Sequence, residues 1–295
     1  MGYSARYHAA SLAAVFLALA VGILIGAGLG DNLLSDTEEN LRESLEGDIE
    51  DARGDADELR AQLDRERAFA SSAYPALVGD TLADRRIGLL AFGDLPGNLS
   101  ADVQDALEPT GGELVEVAVV RRPPDLAALA AALPPGRFAG IDEDTGQLKE
   151  LGELLGSQFA LSEGKQLERV RETLFSRSSG EGGSLDGVVL ARAPVGELDP
   201  EDEPAVDALE TGLVSGVADA VAPTVAVERS GDEESSIPFF GPFDVATVDS
   251  VDLTSGKVAL VFTLLGAEGN FGVKGTANSL LPELLEPSRQ GGSGR

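Results

Sequence analysis

The chain contains no cysteine and no tryptophan, and it has one histidine, His8, and one methionine, the initiator Met1. Without cysteine there is neither a disulfide nor a thiolate that acts as a nucleophile or metal ligand. With a single histidine near the N-terminus, a Ser-His-Asp triad and a zinc cluster of the usual kind are excluded from the rest of the chain. No acid-base constellation stands out among the many carboxylates. We therefore expect a protein that is not an enzyme and that holds no cofactor.

Basic residues are also few. The chain has 22 lysines and arginines and 51 aspartates and glutamates, which gives a formal net charge of −29 over 295 residues. Such a chain repels nucleic acid and anionic headgroups, so we expect no nucleic-acid partner. Two acidic runs, at residues 142–144 and 232–234, lack the spacing of an EF-hand, and they are interpreted as solvated loops rather than as Ca²⁺ or Mg²⁺ sites.

One long apolar segment is present. Residues 9–30 carry no charged side chain, and about 22 residues at about 1.5 Å each cross a hydrocarbon core about 30 Å thick. The glycines of VGILIGAGLGD therefore belong to a transmembrane helix, since the apolar run before them is too long for the strand that precedes a phosphate-binding loop. A cleaved signal peptide is the alternative, although its apolar region is usually only about 7–15 residues long.

The charges that flank this segment predict its orientation. Arg6 precedes it, and Asp31 and Asp36 follow it. By the positive-inside rule, residues 1–8 are cytoplasmic and the remainder is extracytoplasmic. His8 at the cytoplasmic end is interpreted as an interfacial residue rather than a metal ligand.

Small residues recur at every fourth position of the predicted membrane helix. A small-xxx-small face of this kind lets two helix backbones approach closely in lipid. The alternative is that alanine and glycine are simply common in membrane helices. The predicted helix-packing positions are Ala10, Ala14, Ala18, Gly22, Gly26 and Gly30.

A highly charged segment, residues 31–73, follows the membrane helix. Its apolar residues have the spacing of a heptad seam, which predicts a parallel coiled-coil stalk and a homodimer or higher homo-oligomer. A solvated spacer helix on a monomer is the alternative. Tyr74-Pro75 is the predicted end of the helix, because proline disfavours helical geometry at the residue before it. The predicted seam consists of Leu45, Ile49, Ala52, Ala56, Leu59 and Leu63.

From about residue 81, apolar runs alternate with helical patterns. This alternation is typical of a mostly parallel, doubly wound sheet covered on both faces, and we predict such an extracytoplasmic α/β domain for residues 81–286. The tail, residues 287–295, is expected to be disordered. The predicted strands are residues 86–92, 113–120, 185–190 and 224–228, with edge strands at 245–248 and 257–264 joined by a turn at 254–256. The predicted helices are residues 102–107, 125–133, 148–175 with a break near Gly156 or Gly164, and 205–220.

Three loops have more than one interpretation. Residues 92–97, FGDLPG, follow the first predicted strand, where open α/β sheets bind ligands, but without G-x-G-x-x-G a plain turn is favoured. Residues 237–243, IPFFGPF, are either a partner-docking surface or a loop folded into the core. Residues 266–275, GAEGNFGVKG, are glycine-rich and contain no catalytic dyad.

Two parts of the sequence resemble a known family. Residues 8–20, HAASLAAVFLALA, followed by Gly22 and Gly26, are similar to the N-terminal signature of the actinobacterial copper transporter family of the mycobacterial copper transport protein B type. Residues 247–252, TVDSVD, and 272–275, GVKG, are similar to its C-terminal block. The resemblance implies a channel-forming component of the cell envelope, in the inner or outer membrane, that keeps intracellular copper low.

Copper(I) prefers thiolate and thioether ligands and copper(II) prefers imidazole, and the predicted exported part contains none of these. The metal-ligating residues are therefore unknown, and a transported copper ion would be handled by carboxylates or by a partner. A second hypothesis is a dimeric scaffold that presents its α/β domain to cell-wall or division proteins without binding metal.

Overall fold

A computed structural model describes most of the chain. It divides into two compact units, Met1–Glu66 and Arg67–Arg295. For residues 4–6, 27–40 and 43 only the backbone is described. The described residues are 4–94, 97–134, 136–138, 140–180, 183–196, 198–221 and 223–283. The predicted disordered tail, residues 287–295, lies outside them.

The predicted membrane helix and the predicted stalk belong to one helix, α1, which runs from Ser4 to Val78. The predicted end at Tyr74-Pro75 is wrong, because the helix continues through Pro75 for three more residues. Tyr74 and Val78 are both buried, and the Tyr74 hydroxyl donates a hydrogen bond to the carbonyl of Ala106 at 2.6 Å. Packing of this last turn within the second unit therefore outweighs the local effect of proline.

Tyr74 provides a test of that packing. Burial raises its pKa above the ordinary value of about 10. The folded state therefore keeps the proton at pH values where the unfolded state has lost it, and the stability that the neutral side chain contributes below pH ~10 is lost as the pH rises further. With Tyr3 and Tyr7 replaced by phenylalanine, Tyr74 is the only tyrosine. We follow the ionisation of Tyr74 by its absorbance at about 295 nm. We expect the midpoint of this titration to lie above pH ~10 in the folded protein and at about pH 10 in urea. Coincident titrations would show that Tyr74 is exposed.

The second unit contains one sheet of seven strands in the order β3-β2-β1-β4-β5-β6-β7. All neighbours are parallel except β2 and β3. The predicted α/β class and mostly parallel sheet are thus confirmed. The strands are β1 Arg86–Phe92, β2 Glu113–Val120, β3 Phe175–Gly180, β4 Gly187–Arg192, β5 Thr224–Val227, β6 Ala246–Val248 and β7 Asn270–Phe271.

Helices cover both faces of this sheet, and two apolar cores separate them from it. One core contains side chains of α3, α4, α5 and α6, and the other contains side chains of α2, α8 and the end of α1. The helices are α2 Leu99–Leu107, α3 Leu126–Ala132, α4 Thr145–Leu161, α5 Lys165–Leu174, α6 Glu203–Ala220, α7 Ile237–Phe240 and α8 Thr254–Leu264.

Alternate residues of a strand point to opposite faces of a sheet, and β1 supplies both cores in this way. Ile87 and Leu89 lie in the core beside α2 and α8, whereas Leu90 and Phe92 lie in the core beside α4 and α6. A strand that is buried on both faces has no polar face, which is why residues 87–92 of β1 are continuously apolar.

The predicted edge strand at residues 257–264 is wrong, because these residues form α8, and the predicted turn at 254–256 is its first turn. A short, wholly apolar run does not distinguish a buried strand from a buried helix. The helix is buried on most of its sides, and the buried hydroxyl of Thr263 in its last turn donates to the carbonyls of Ala259 and Leu260. Residues 246–248 form a strand as predicted, but β6 lies inside the sheet between β5 and β7 rather than at its edge.

The helical pattern of residues 148–175 is broken at the second of the two predicted glycines. Ser162 and Gly164, both with positive φ, separate α4 from α5. Gly156 instead lies inside α4 and faces α6. The strand β3, which follows α5 and pairs antiparallel with β2 at the edge of the sheet, was not predicted from the sequence.

Glycines bring α4 and α6 unusually close. A Cβ on Gly152 would lie 2.7 Å from the carbonyl oxygen of Leu209. A Cβ on Gly212 would overlap the carbonyl oxygen of Lys149, and one on Gly216 would overlap that of Glu153. The two glycine pairs, each four residues apart, therefore form a backbone-to-backbone contact that larger residues would prevent.

Candidate functional site

The apolar part of α1 meets the length and composition of a membrane span over Tyr7–Gly26, with a mean hydropathy of 2.5, and none of it is buried within the protein. Phe16 and Leu24 are among its exposed side chains. Of the predicted helix-packing residues, Gly22 and Gly26 have no neighbouring atom against them, and Ala14 and Ala18 are exposed. Gly30 lies in α1 where only the backbone is described. Their role in helix pairing stays a prediction.

The predicted seam also lies on α1 with its apolar side chains exposed. Leu45, Ile49, Leu59 and Leu63 have exposed fractions of 50%, 49%, 60% and 54%. Arg60 forms a surface ion pair with Asp57 at 2.7 Å. Four large apolar side chains on one charged helix leave a face available to a second helix, and the coiled coil stays a prediction.

A cleft of about 430 Å³ opens at the carboxyl ends of β1, β2 and β4. Its described lining includes Gly93 and Asp94 after β1, Arg121 and Arg122 after β2, and Pro194 after β4. The chain moves from β1 to β2 in one direction and from β4 to β5 in the other, and ligands of open α/β sheets bind at such a reversal. The FGDLPG loop begins here, although its residues 95–96 lie outside the described residues.

Behind the cleft, Glu210 of α6 is held between two arginines. Nε and Nη2 of Arg122 donate to its Oε1 at 2.8 and 2.6 Å, and Nε of Arg192 donates to its Oε2 at 2.8 Å. Nη1 of Arg122 donates to the carbonyls of Ala193 and Pro194. The side chains of Arg122, Glu210 and Arg192 are 7%, 3% and 14% exposed. This buried triad retains one excess positive charge, since an arginine does not deprotonate in proteins.

A second polar network lies where β5, β6 and β7 end. The carboxylate of Asp249, 1% exposed, accepts hydrogen bonds from the backbone N–H groups of Val273 and Lys274 at 2.7 and 3.0 Å. Nζ of Lys274 donates to Oε1 of Glu228 at 2.9 Å. We call Glu228, Asp249 and Lys274 the C-terminal clasp, because together they fix the segment after β7 to the ends of β5 and β6.

Gly272 has a conformational reason to be glycine. Its φ is +139°, and a Cβ would overlap the carboxylate of Asp249. The absence of a side chain therefore allows the backbone after β7 to reach that buried carboxylate.

Asp252 fixes the loop after β5 in a similar way. Its two carboxylate oxygens accept the backbone N–H and the hydroxyl of Ser230 at 2.6 and 2.7 Å. Partial burial raises the pKa of Asp252, but the hydrogen bonds from Ser230 and the charge of Arg229 outweigh it, so the pKa lies below its ordinary value. The carboxylate is therefore charged throughout the neutral range.

Replacing Asp249 with asparagine is expected to lower the free energy of unfolding of the second unit by about 2 kcal/mol. The amide has only one acceptor oxygen and no charge, so its NH₂ group would lie against one of the backbone N–H groups that the carboxylate now accepts. Urea denaturation followed by Tyr74 fluorescence, with Tyr3 and Tyr7 replaced by phenylalanine, measures this. Asp244→Asn is the matched control, since Asp244 is exposed at a positive φ that asparagine tolerates. Equal effects of the two substitutions would contradict a clasp.

One aspartate of each acidic run accepts backbone hydrogen bonds. Asp144 accepts the backbone N–H groups of Gly146 and Gln147 at the start of α4, and Asp232 accepts that of Arg229. Among the residues that the structure describes, no three His, Cys, Asp or Glu side chains are grouped to hold a metal ion.

In the IPFFGPF segment, Ile237 and Phe240 are buried, while the guanidinium of Arg192 lies 4.1 Å from the ring centre of Phe239. The segment is thus a short helix packed on the core.

Comparison with known proteins decides the family. Residues 3–282 match the family described as "Copper transport outer membrane protein, MctB". The chain belongs to this family. The MctB family resemblance that the sequence predicted is therefore confirmed over nearly the whole length.

Individual relatives match a smaller part. The proteins named "Copper transporter MctB" of Mycobacterium tuberculosis and Mycobacterium bovis are each 34% identical over 110 residues, which is 37% of this chain and 35% of each relative. The matched segment thus spans about a third of the length of these curated relatives.

The structure gives a physical reason for the C-terminal resemblance to the MctB family. Residues 247–252 and 272–275, which are far apart in sequence, meet in the C-terminal clasp, where Asp249 binds the backbone of the GVKG segment. These residues hold the sheet edge together. The buried triad was not predicted, although one signal was present: Glu210 lies in the apolar stripe of its helix, beside Val206, Leu209 and Leu213.

Proposed function

We propose that the protein is a single-pass, membrane-anchored component of the cell envelope that contributes to copper export or tolerance. The observation that carries this proposal is the match of residues 3–282 to the MctB copper transport family. The apolar span Tyr7–Gly26 supports membrane anchoring. Arg6 before this span and Asp31 after it support a cytoplasmic N-terminus and an extracytoplasmic second unit.

In this proposal copper is cargo rather than a bound cofactor. The chain has no cysteine and one histidine, His8, at the edge of the span. Soft and imidazole donors, which copper prefers, are therefore not supplied by the second unit. Copper would be bound weakly by carboxylates or passed on by a partner, and the protein itself would carry out no chemical reaction.

Deletion of the gene tests the role in copper homeostasis. We expect the deletion strain to accumulate copper and to become sensitive to it, and the full chain to restore both properties. A chain that begins at residue 31 should fail to do so, because it lacks the anchor. Unchanged copper content and unchanged sensitivity of the deletion strain would reject the proposal.

We also propose that the protein pairs with a second copy through α1. Replacing both Gly22 and Gly26 with isoleucine should reduce crosslinked dimer several-fold in membranes, since branched side chains would hold the two backbones apart. Gly47 and Gly54, which also have open space around them, provide control positions outside the membrane span, and isoleucine there should leave pairing within the membrane intact. Undiminished crosslinking of the Gly22→Ile/Gly26→Ile variant would show that this face is not the interface.

A scaffold that docks envelope proteins is the second candidate function. The observation that favours it is the combination of exposed apolar seam residues with the absence of a group of metal-binding side chains among the described residues. Titration of the full chain with Cu(I) and Cu(II) against a competing chelator separates the candidates. Tight stoichiometric binding would contradict the scaffold, and weak or no binding together with envelope proteins recovered by pull-down would favour it.

A further inference from the structure

The carboxyl edge of the sheet concentrates positive charge in a strongly acidic protein. Arg121 and Arg122 line the cleft of about 430 Å³, and Arg177 lines an adjoining cleft of about 240 Å³. Ser176, the first exposed residue of β3, lines both. Asp94 also lines both, and it is the one carboxylate among their described lining residues.

Arg121 and Arg122 are held in place without being fully neutralised. Nε and Nη2 of Arg121 donate to the backbone carbonyls of Thr173 and Phe175 at 3.2 and 3.4 Å, and these acceptors carry no charge. Arg122 does contact a carboxylate, Glu210, but Glu210 also neutralises Arg192. Among the described lining residues of the two clefts, three arginines therefore outnumber one carboxylate, Asp94.

Acidic residues beyond the cleft do not cancel this charge. Asp199 and Glu201 follow the lining residue Leu198, but both are exposed to solvent. Water and salt screen exposed charges, whereas the guanidinium of Arg122 lies at the wall of the cleft and is 7% exposed.

We propose that the cleft binds a small ligand through an oxyanion, a carboxylate or a phosphate group. The planar guanidinium group matches both anions in charge and in geometry. The cleft lies where the order of successive strands reverses, which is where open α/β sheets bind small molecules. Its volume is within the range of small-molecule sites. Arg121 supplies the accessible charge, and Arg122 supplies the buried charge beneath it. This site is independent of the proposed role in copper homeostasis.

Calorimetric titration of the full chain in detergent, at about 0.15 M NaCl to screen non-specific attraction, tests the proposal with two probes. Citrate represents the carboxylates and inorganic phosphate represents phosphate. We expect saturable binding of at least one probe with a Kd below about 1 mM. Binding of citrate alone would assign the ligand to the carboxylates, and binding of phosphate alone to the phosphate compounds.

Two substitutions place the binding in the cleft. Arg121→Gln removes the accessible charge, and Ser176→Leu fills both clefts while leaving every arginine in place. Each should weaken binding at least about tenfold. Arg169→Gln is the control, because Arg169 is an exposed arginine of α5 that does not line the cleft. Absence of saturable binding by either probe at about 10 mM, or binding that survives both Arg121→Gln and Ser176→Leu, would overturn the proposal.

Discussion

Replacing Glu210 with glutamine is expected to lower the free energy of unfolding of the second unit by about 3–5 kcal/mol. The substitution removes the only carboxylate that contacts Arg122 and Arg192 within the triad, and it leaves both guanidiniums largely buried. A neutral amide of the same shape cannot compensate two positive charges, nor can its NH₂ group accept the hydrogen bond that Nε of Arg192 donates. Urea denaturation followed by Tyr74 fluorescence measures the loss.

The same substitution at Glu150 is the matched control. Glu150 also pairs with an arginine, Arg137 at 2.8 Å, but the two side chains are 52% and 68% exposed. An exposed pair contributes about 0–1 kcal/mol, so Glu150→Gln should change the stability little. If Glu210→Gln cost no more than Glu150→Gln, water would have to reach the triad, and the inference that its charge is buried would be wrong.

The strands β1 and β2 were predicted correctly because their short apolar runs alternate with helical patterns along the chain, an order typical of a parallel sheet. Composition alone would not have been enough, as the similar apolar run that forms α8 shows. β3 gives no such signal, because five of its six residues are exposed. It forms a strand because the edge of β2 is available for pairing. The sequence of β3 alone does not indicate this pairing.

The polar networks could not be predicted for a different reason. Arg122 and Glu210 are 88 residues apart in sequence, and Asp249 and Lys274 meet only because β6 and β7 are neighbours. The sequence marked Asp249 and Lys274 through the family resemblance, but it offered no chemistry for them. Their partners depend on strand order, which the alternation of strands and helices does not determine.

Glycine pairs four residues apart occur both in the membrane segment and in the second unit. Only those of the membrane segment were interpreted as a packing face, whereas Gly156 was predicted only as a possible helix break. The structure instead places Gly152 and Gly156 against α6. A helix with charged residues on its outer side therefore also has a glycine face, which allows close packing of backbones.

Replacing Gly216 with alanine is expected to destabilise the second unit by about 3 kcal/mol. On an exposed helix the same change would stabilise by up to about 1 kcal/mol, because alanine has the higher helix propensity. At Gly216 the new Cβ would overlap the carbonyl oxygen of Glu153, and a backbone atom cannot move aside as a side chain can. Helices α4 and α6 must therefore move apart, and the loss of packing between them costs more free energy than the higher helix propensity of alanine contributes.

Gly241→Ala distinguishes this cause from a general effect of glycine replacement. Gly241 has helical dihedral angles and no atom near its missing Cβ, so alanine should be neutral or stabilise by about 0.4–1 kcal/mol. The double variant Gly156→Ala/Gly216→Ala should cost less than the sum of its single variants, because once the helices have separated for one methyl group the second meets less resistance. Strict additivity in urea denaturation would mean that each glycine makes its own local contact and that α4 and α6 do not move apart as rigid helices.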